Sequence, residues 1–206
     1  IETFIDGYEG DYEILLAIPD IPTINAAKLK IQELGIENNV RFSDLVKDGK
    51  PKGKPCELNY LMDMAEGDIW FFGDGDVFYK KGNIQKMLKH FDDENVQAVT
   101  GRPRSADKKD SMMHYFGNLL ADAAHHKRTI DLTDNPSGRS VNFIKKGKFF
   151  PVSGYLFAMR KTDIRAPEDC LVEDAYFSYR IFNDGGKIEY EPEAEVYVKY
   201  PTTLKD

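Results

Sequence analysis

Residues 66–78, Glu66-Gly67-Asp68-Ile69-Trp70-Phe71-Phe72-Gly73-Asp74-Gly75-Asp76-Val77-Phe78, limit what this chain can become more than any other stretch. Residues 69–72 form a short, continuous apolar run of β-branched and aromatic side chains, which suits a strand covered on both faces. The run stops at Gly73-Asp74-Gly75-Asp76. If the backbone stays extended, Asp74 and Asp76 share one side, with Gly75 removing bulk between them. Open α/β sheets bind ligands at the carboxyl ends of their strands. Two hard carboxylate donors there suit Mg²⁺ or Mn²⁺ carrying a diphosphate. The same residues also satisfy a plain Asp-Gly turn, so this stretch alone leaves both readings open.

Strands and helices alternate on either side of it. Residues 13–18 read as a buried strand closed by Pro19-Asp20-Ile21-Pro22-Thr23. Residues 26–34 have helical spacing and stop at Gly35, a helix-capping residue. Residues 40–42 are a second short strand, followed by a polar loop (47–55) with four lysines, Lys47, Lys50, Lys52 and Lys54. Leu58, Leu61, Met62 and Ala65 share a face of a helix over 56–65 that feeds the apolar strand. The order β-α-β-α-β predicts an α/β fold with a mostly parallel central sheet flanked by helices. Further on, 84–91 is an amphipathic helix and 96–100 a strand. The pattern loosens from 101 to 148: 112–124 looks helical, then His125-His126-Lys127-Arg128 and the polar residues 131–139 look like a mobile connection, and a loop that long is usually functional. Residues 149–159 read as a strand with Gly154 at a close approach. A helix over 173–183, capped by Gly185 or Gly186, and short strands at 187–190 and 196–198 end the pattern.

At 206 residues, 41% hydrophobic and 12% aromatic, the chain has enough apolar surface for one globular domain. A net charge of −7 argues against a broad nucleic-acid-binding face. Only two cysteines are present, Cys56 and Cys170, so a disulfide framework is not expected and a reducing, cytoplasmic setting is. No apolar run approaches the ~18 residues of a membrane span.

Three stretches can act together. Asp74 and Asp76 offer metal ligands; Gly53-Lys54 offers a cation and pliant backbone for a nucleotide or its phosphates. In Leu171-Val172-Glu173-Asp174, an acidic pair opens a helix. The helix dipole favours acids there with no further role; alternatively Asp174 accepts a proton from an acceptor hydroxyl while Glu173 shapes the site. Arg180 follows Asp174 by six residues on the same helix and suits either a phosphate contact or a surface ion pair. His125 and His126 lack further Cys or His partners for a metal and read as a loop feature touching the acceptor. Trp70 reads as core. Tyr155, beside Gly154, could stack on a sugar ring or serve as an ordinary strand aromatic.

In this order, Gly53-Lys54-Pro55-Cys56-Glu57-Leu58-Asn59, Ala65-Glu66-Gly67-Asp68 and Asp74-Gly75-Asp76 resemble family 2 glycosyltransferases of the GT-A fold, enzymes that use nucleotide-sugar donors. The later part agrees: 150–160 resembles the family's acceptor-side strand. Glu173-Asp174-Ala175-Tyr176 with Gly186-Lys187-Ile188-Glu189-Tyr190-Glu191-Pro192 resembles its Glu-Asp helix and following segment. The match runs over about residues 10 to 204. The resemblance implies a single catalytic domain over 1–206, with a nucleotide-sugar-binding half (1–100) and an acceptor-binding half (101–206). It implies Asp76 as ligand to Mn²⁺ or Mg²⁺, and Asp74 as ligand to the metal or the donor ribose. Asp20, Lys54 and Asn59 would lie on the donor side, Glu173, Gly154 and Tyr155 on the acceptor side, and Asp174 would be the general base. The activity implied is inverting transfer of a hexosyl or N-acetylhexosaminyl group, commonly from a UDP-sugar, to a carbohydrate or glycolipid acceptor.

Two departures matter. The family's opening strand, an apolar run into Pro-x-Tyr-Asn, is missing from residues 1–9, and the chain stops shortly before the Gln-x-x-Arg-Trp motif of membrane-embedded polymer synthases. Both ends look cut, so the expectation is a piece of a longer protein that meets the cytoplasmic face of a membrane only through segments outside this chain. A sugar nucleotidyltransferase is a rival, although the Gly-rich, Arg-containing loop it carries after its first strand is not found. A non-catalytic sugar-nucleotide-binding domain is another, supported by the missing strand.

Overall fold

The computed structural model describes residues 1–44, 53–132 and 151–200. Lys47, Lys50 and Lys52 of the polar loop, residues 133–150 of the connection and following strand, and residues 201–206 lie outside the described residues.

After a short helix α1 (Glu2–Ile5), strand β1 (Ile14–Leu16) leads into α2 (Ile21–Leu34) and β2 (Val40–Phe42). The two strands pair in parallel, Ile14 opposite Val40, in a sheet of their own. The crossover helix starts where Asp20 accepts the Thr23 N–H at 2.8 Å and stops at Gly35, whose φ of 66° suits a residue without Cβ. Glu13, just before β1, accepts the N–H groups of Glu66 and Gly67 at 2.6 and 3.1 Å and pairs with Arg41. Arg41 also donates to the Met64 C=O at 2.9 Å. This cluster ties the small sheet to the turn before the next strand. Among the described residues no strand precedes Ile14.

Helix α3 (Lys54–Met64) then feeds β3 (Ile69–Gly73), followed by β4 (Phe78–Tyr79), α4 (Asn83–Leu88), β5 (Val96–Ser105) and α5 (Met112–Leu132). Strand β6 (Leu156–Arg160), helix α6 (Glu173–Asn183) and strand β7 (Lys187–Val198) complete the chain. The main sheet runs β3-β6-β5-β7-β4 and draws strands from both halves of the sequence. The α/β class with flanking helices is the expected one, but strand directions differ from the mostly parallel expectation. Within this sheet β5 and β7 alone pair in parallel; β3–β6, β6–β5 and β7–β4 are antiparallel. A βα alternation dictates parallel pairing only between strands joined by a crossover that returns to the same end, and β6 enters the other way between β3 and β5.

Period-two geometry sorts the strand residues onto two cores. Trp70, Phe157 and Met159 pack with Met62 of α3 and Phe177 and Ile181 of α6 on one face. Leu156 and Ala158 pack with Tyr79, Met87 and Val196 on the other. Residues 156–159 are all at most 3% exposed, which explains why they are apolar without alternation. Trp70 is core as expected, its Nε1–H donated to the Gly67 C=O at 2.9 Å. No helix among the described residues is long and apolar enough to cross a membrane. Both cysteines are free.

Candidate active site

Strand β3 delivers its carboxylates onto a turn, not an extended segment: the backbone bends at Gly75 and Asp76 before β4. The Asp-Gly turn and the candidate site are therefore the same object. The glycine that a close approach requires is Gly73 and not Gly75, around which there is open space. A Cβ on Gly73 would lie 2.1 Å from the Tyr79 phenol oxygen, and that phenol donates to the Asp74 C=O at 2.9 Å. Burial, and then the charges of Asp74 and Asp76, push the Tyr79 phenol well above its ordinary range, so it stays a donor. Asp74 is half-buried and Asp76 exposed.

Gly53, with φ of 93°, turns the chain into α3 and sets Lys54 at the helix start. Its Nζ lies 2.9 Å from Asp74 Oδ1 and 2.8 Å from Glu173 Oε1. Burial alone would lower the Lys54 pKa, but the bonds to Glu173 and Asp74 win and raise it. One cation thus joins the start of α3, the end of β3 and the start of α6. Glu173 is 9% exposed, and a carboxylate this buried needs such a partner.

Asp174 is held on its own side. Its Oδ2 accepts the Gly154 N–H at 2.8 Å and its Oδ1 the Ala175 N–H at 2.7 Å. Its C=O accepts from the Ser178 hydroxyl at 2.6 Å, which in turn accepts the Val152 N–H at 2.9 Å. Gly154 sits in a turn closed by Leu156 N–H to the Ser153 C=O at 3.0 Å, not within a strand as expected. A Cβ there would come within 3.2 Å of Asp174 Oδ2. Tyr155, in the same turn, has its phenol raised by burial, then by Asp74, Asp76 and Asp174, against Lys54. It is close enough to both carboxylate groups to feel each.

Other expected residues have structural tasks. Asn59 uses both amide atoms on Ala166, donating to its C=O at 2.7 Å and accepting its N–H at 3.0 Å; this pins α3 to the segment before α6. Asp20 caps α2 at an exposed position, and the Thr23 N–H holds its carboxyl below the ordinary range. Arg180 donates to the Tyr176 phenol at 3.1 Å. His125 and His126 lie on α5, not in a mobile connection, since the helix continues to Leu132; His125 Nδ1 is 2.7 Å from the Tyr190 hydroxyl. The sequence reading missed Glu195, buried between Lys80 and Arg104 at 2.8 Å each, and Arg128, half-buried near Asp174. An acid at an inward position of a strand was the available signal for Glu195.

Among the described residues, no group of three or more His, Cys, Asp or Glu side chains could enclose a metal. Asp74 and Asp76, the acids of the turn after β3, are the residues that would hold such an ion, which would take its other ligands from water and phosphate oxygens.

Residues 31–206 match the family described as glycosyltransferase like family 2. Among solved structures, the chain is similar to the mannosyltransferase PcManGT from Pyrobaculum calidifontis in complex with GDP-Man and Mn²⁺. The TM-score is 0.65 at 17% identity, covering 98% of this chain and 53% of that one. It is also similar to GalNAc-T7 with UDP, GalNAc and Mn²⁺, with a TM-score of 0.54 at 13% identity, covering 91% of this chain and 37% of that one. The chain thus spans about half the length of the first and less of the second. The shared architecture is the GT-A fold. No protein of curated function matches the sequence.

Proposed function

This chain belongs to the glycosyltransferase like family 2, and we propose that it transfers a sugar from a nucleoside-diphosphate donor to an acceptor hydroxyl with inversion at the anomeric carbon. The observation that carries the reading is the Lys54 bridge: it gathers Asp74 and Glu173, 99 residues apart in sequence, beside Asp174. Asp76 and Asp74 would hold a divalent cation, Mn²⁺ or Mg²⁺; the similar structures with Mn²⁺ support this. When bound, such an ion supplies charge neutralisation on the departing diphosphate.

The chain's own residues do the rest. Lys54 adds a positive charge beside the diphosphate. Asp174, oriented by the Gly154 and Ala175 N–H groups, takes the proton of the acceptor hydroxyl. As that oxygen bonds to the anomeric carbon, the bond from carbon to the diphosphate oxygen breaks and its electron pair leaves with the nucleoside diphosphate. Tyr155, whose phenol responds to the charges of Asp74, Asp76 and Asp174, would face the acceptor. Most of the acceleration in such a site comes from positioning and electrostatics. UDP and GDP are the leading nucleotides, from the family resemblance and from the ligands of the similar structures.

The test is Asp174→Asn, which keeps shape and removes the proton acceptor. Donor affinity should be unchanged and turnover should fall by roughly 10²–10⁴-fold, the usual worth of general-base catalysis. Turnover near that of the unaltered protein would refute Asp174 as base.

A further inference from the structure

The C-terminal turns of α5 bring Arg128 beside the segment that orients Asp174. Its guanidinium carbon lies 5.6 Å over the Tyr190 ring, and Nη2 is 3.5 Å from the Pro151 C=O, three residues before Gly154. Its Nη1 is buried and has no hydrogen-bond partner among the described residues. Leaving a buried donor unmade is expensive, and more so on a charged group. Burial pulls the Arg128 pKa below its usual value, while Tyr190 and then Asp174 raise it, so the candidate base lies within its electrostatic reach.

Arg102, on β5, repeats the pattern. Its side chain is 20% exposed and its Nε is buried without a partner among the described residues. Its one ion pair among them, to Asp122, is long at 3.9 Å. Both arginines act on the Tyr190 phenol. His125 is depressed by burial and next by Arg102, and contacts Tyr190. Two half-buried guanidinium groups share the surroundings of Tyr190, each with one buried N–H nitrogen unpartnered among the described residues, and Arg128 also reaches the candidate base; this is more than core packing requires. A guanidinium fork matches the two oxygens of a phosphate or carboxylate.

We propose that Arg128, assisted by Arg102, forms an oxyanion-binding subsite on the acceptor side of Asp174, so that the acceptor carries a phosphate or carboxylate near the hydroxyl it offers. The word acceptor rests on the glycosyltransferase reading; the anion subsite itself rests on the arginines.

The experiment is a nitrogen-resolved NMR titration of the whole chain with methyl phosphate and, separately, with acetate. Each is run alone and with saturating UDP or GDP and Mg²⁺. At least one anion should bind, with or without the nucleotide, and the preferred one identifies the acceptor's charged group. Its affinity should fall about tenfold or more in Arg128→Met, in keeping with a lost charge-assisted hydrogen bond. Arg128→Lys should keep part of it, and nucleotide affinity should be unchanged in both. Spectra of the free variants that overlay the unaltered protein's establish that the fold is retained, and Arg102→Met provides a second variant with a smaller loss. Binding of neither anion, equal anion affinity in Arg128→Met, or displacement of the anion by the nucleotide overturns the proposal. Anion binding that depends on Arg128 in a protein that binds neither nucleotide would support the subsite and count against the glycosyltransferase reading instead.

Discussion

Replacing Gly73 by alanine tests how the carboxylate turn is built. The new Cβ would lie 2.1 Å from the Tyr79 oxygen, 2.9 Å from its Cζ and 3.2 Å from Phe4 Cε2. Tyr79 cannot simply swing away: it is 9% exposed and packed edge-on against Phe4 with ring centroids 4.6 Å apart. Overpacking of this kind costs about 1–3 kcal/mol. The Tyr79 bond to the Asp74 C=O is worth about 1 kcal/mol more. Against this, alanine restricts the unfolded chain and returns about 0.4–1 kcal/mol. The net loss should be about 1–3 kcal/mol, read by urea unfolding. Tyr79→Phe alone should cost about 1 kcal/mol, the hydrogen bond. In the double variant the worst contact disappears with the hydroxyl, though the Cζ contact remains, so the combined loss should fall short of the sum by about 1 kcal/mol. Additivity within about 0.5 kcal/mol would show that Gly73 and Tyr79 do not share this contact, and the reasoning would fail.

Two further outcomes follow from the same geometry. Burial would raise the Glu195 carboxyl, but the bonds from Lys80 and Arg104 win and lower it from 4.5 to about 2. A folded-state pKa below the unfolded one contributes stability above pH 4.5 that is lost as pH falls toward 2, here about 3 kcal/mol. Glu195→Gln should therefore be less stable at neutral pH, by a margin that shrinks across that window in pH-dependent urea melts; a constant margin would refute the assignment. Asn59→Leu strips both partners from the Ala166 peptide groups, and Ala166 is 3% exposed. It should lose about 2–4 kcal/mol of stability with nucleotide affinity unchanged, whereas the reverse would return Asn59 to the donor site.

The apolar strands β3 and β6 and the amphipathic helices α3 and α6 were legible because burial on one or two faces dictates residue type directly. Strand direction was not, since β6 carries no mark of which way it enters the sheet. The strand at β5 reads as ending near Thr100 because Arg102 and Arg104 are polar, yet it runs to Ser105 with bulges opposite β7. Similarly α5 continues through His125 and Arg128, where a polar run hides helical period. Lys54, Asp74 and Glu173, which the fold joins in one ion-paired cluster with Asp174 next in the chain, stood out in the sequence because several charges with no apolar alternative fall at element ends. Asp20 and Asn59 share that appearance, and the cap and peptide staple they form were not legible, because these use the same residue types as a nucleotide contact. Arg128 was illegible because only the folded chain reveals that one of its donors is buried without a partner.

The most direct test of the donor-site reading is calorimetric titration with UDP, GDP and CMP, each with and without Mn²⁺, of the unaltered chain and Asp76→Asn. The account predicts that one of the nucleotides binds only when Mn²⁺ is present and that Asp76→Asn abolishes this binding while leaving the unfolding midpoint in place. Nucleotide binding indifferent to Mn²⁺, or unchanged in Asp76→Asn, would contradict it.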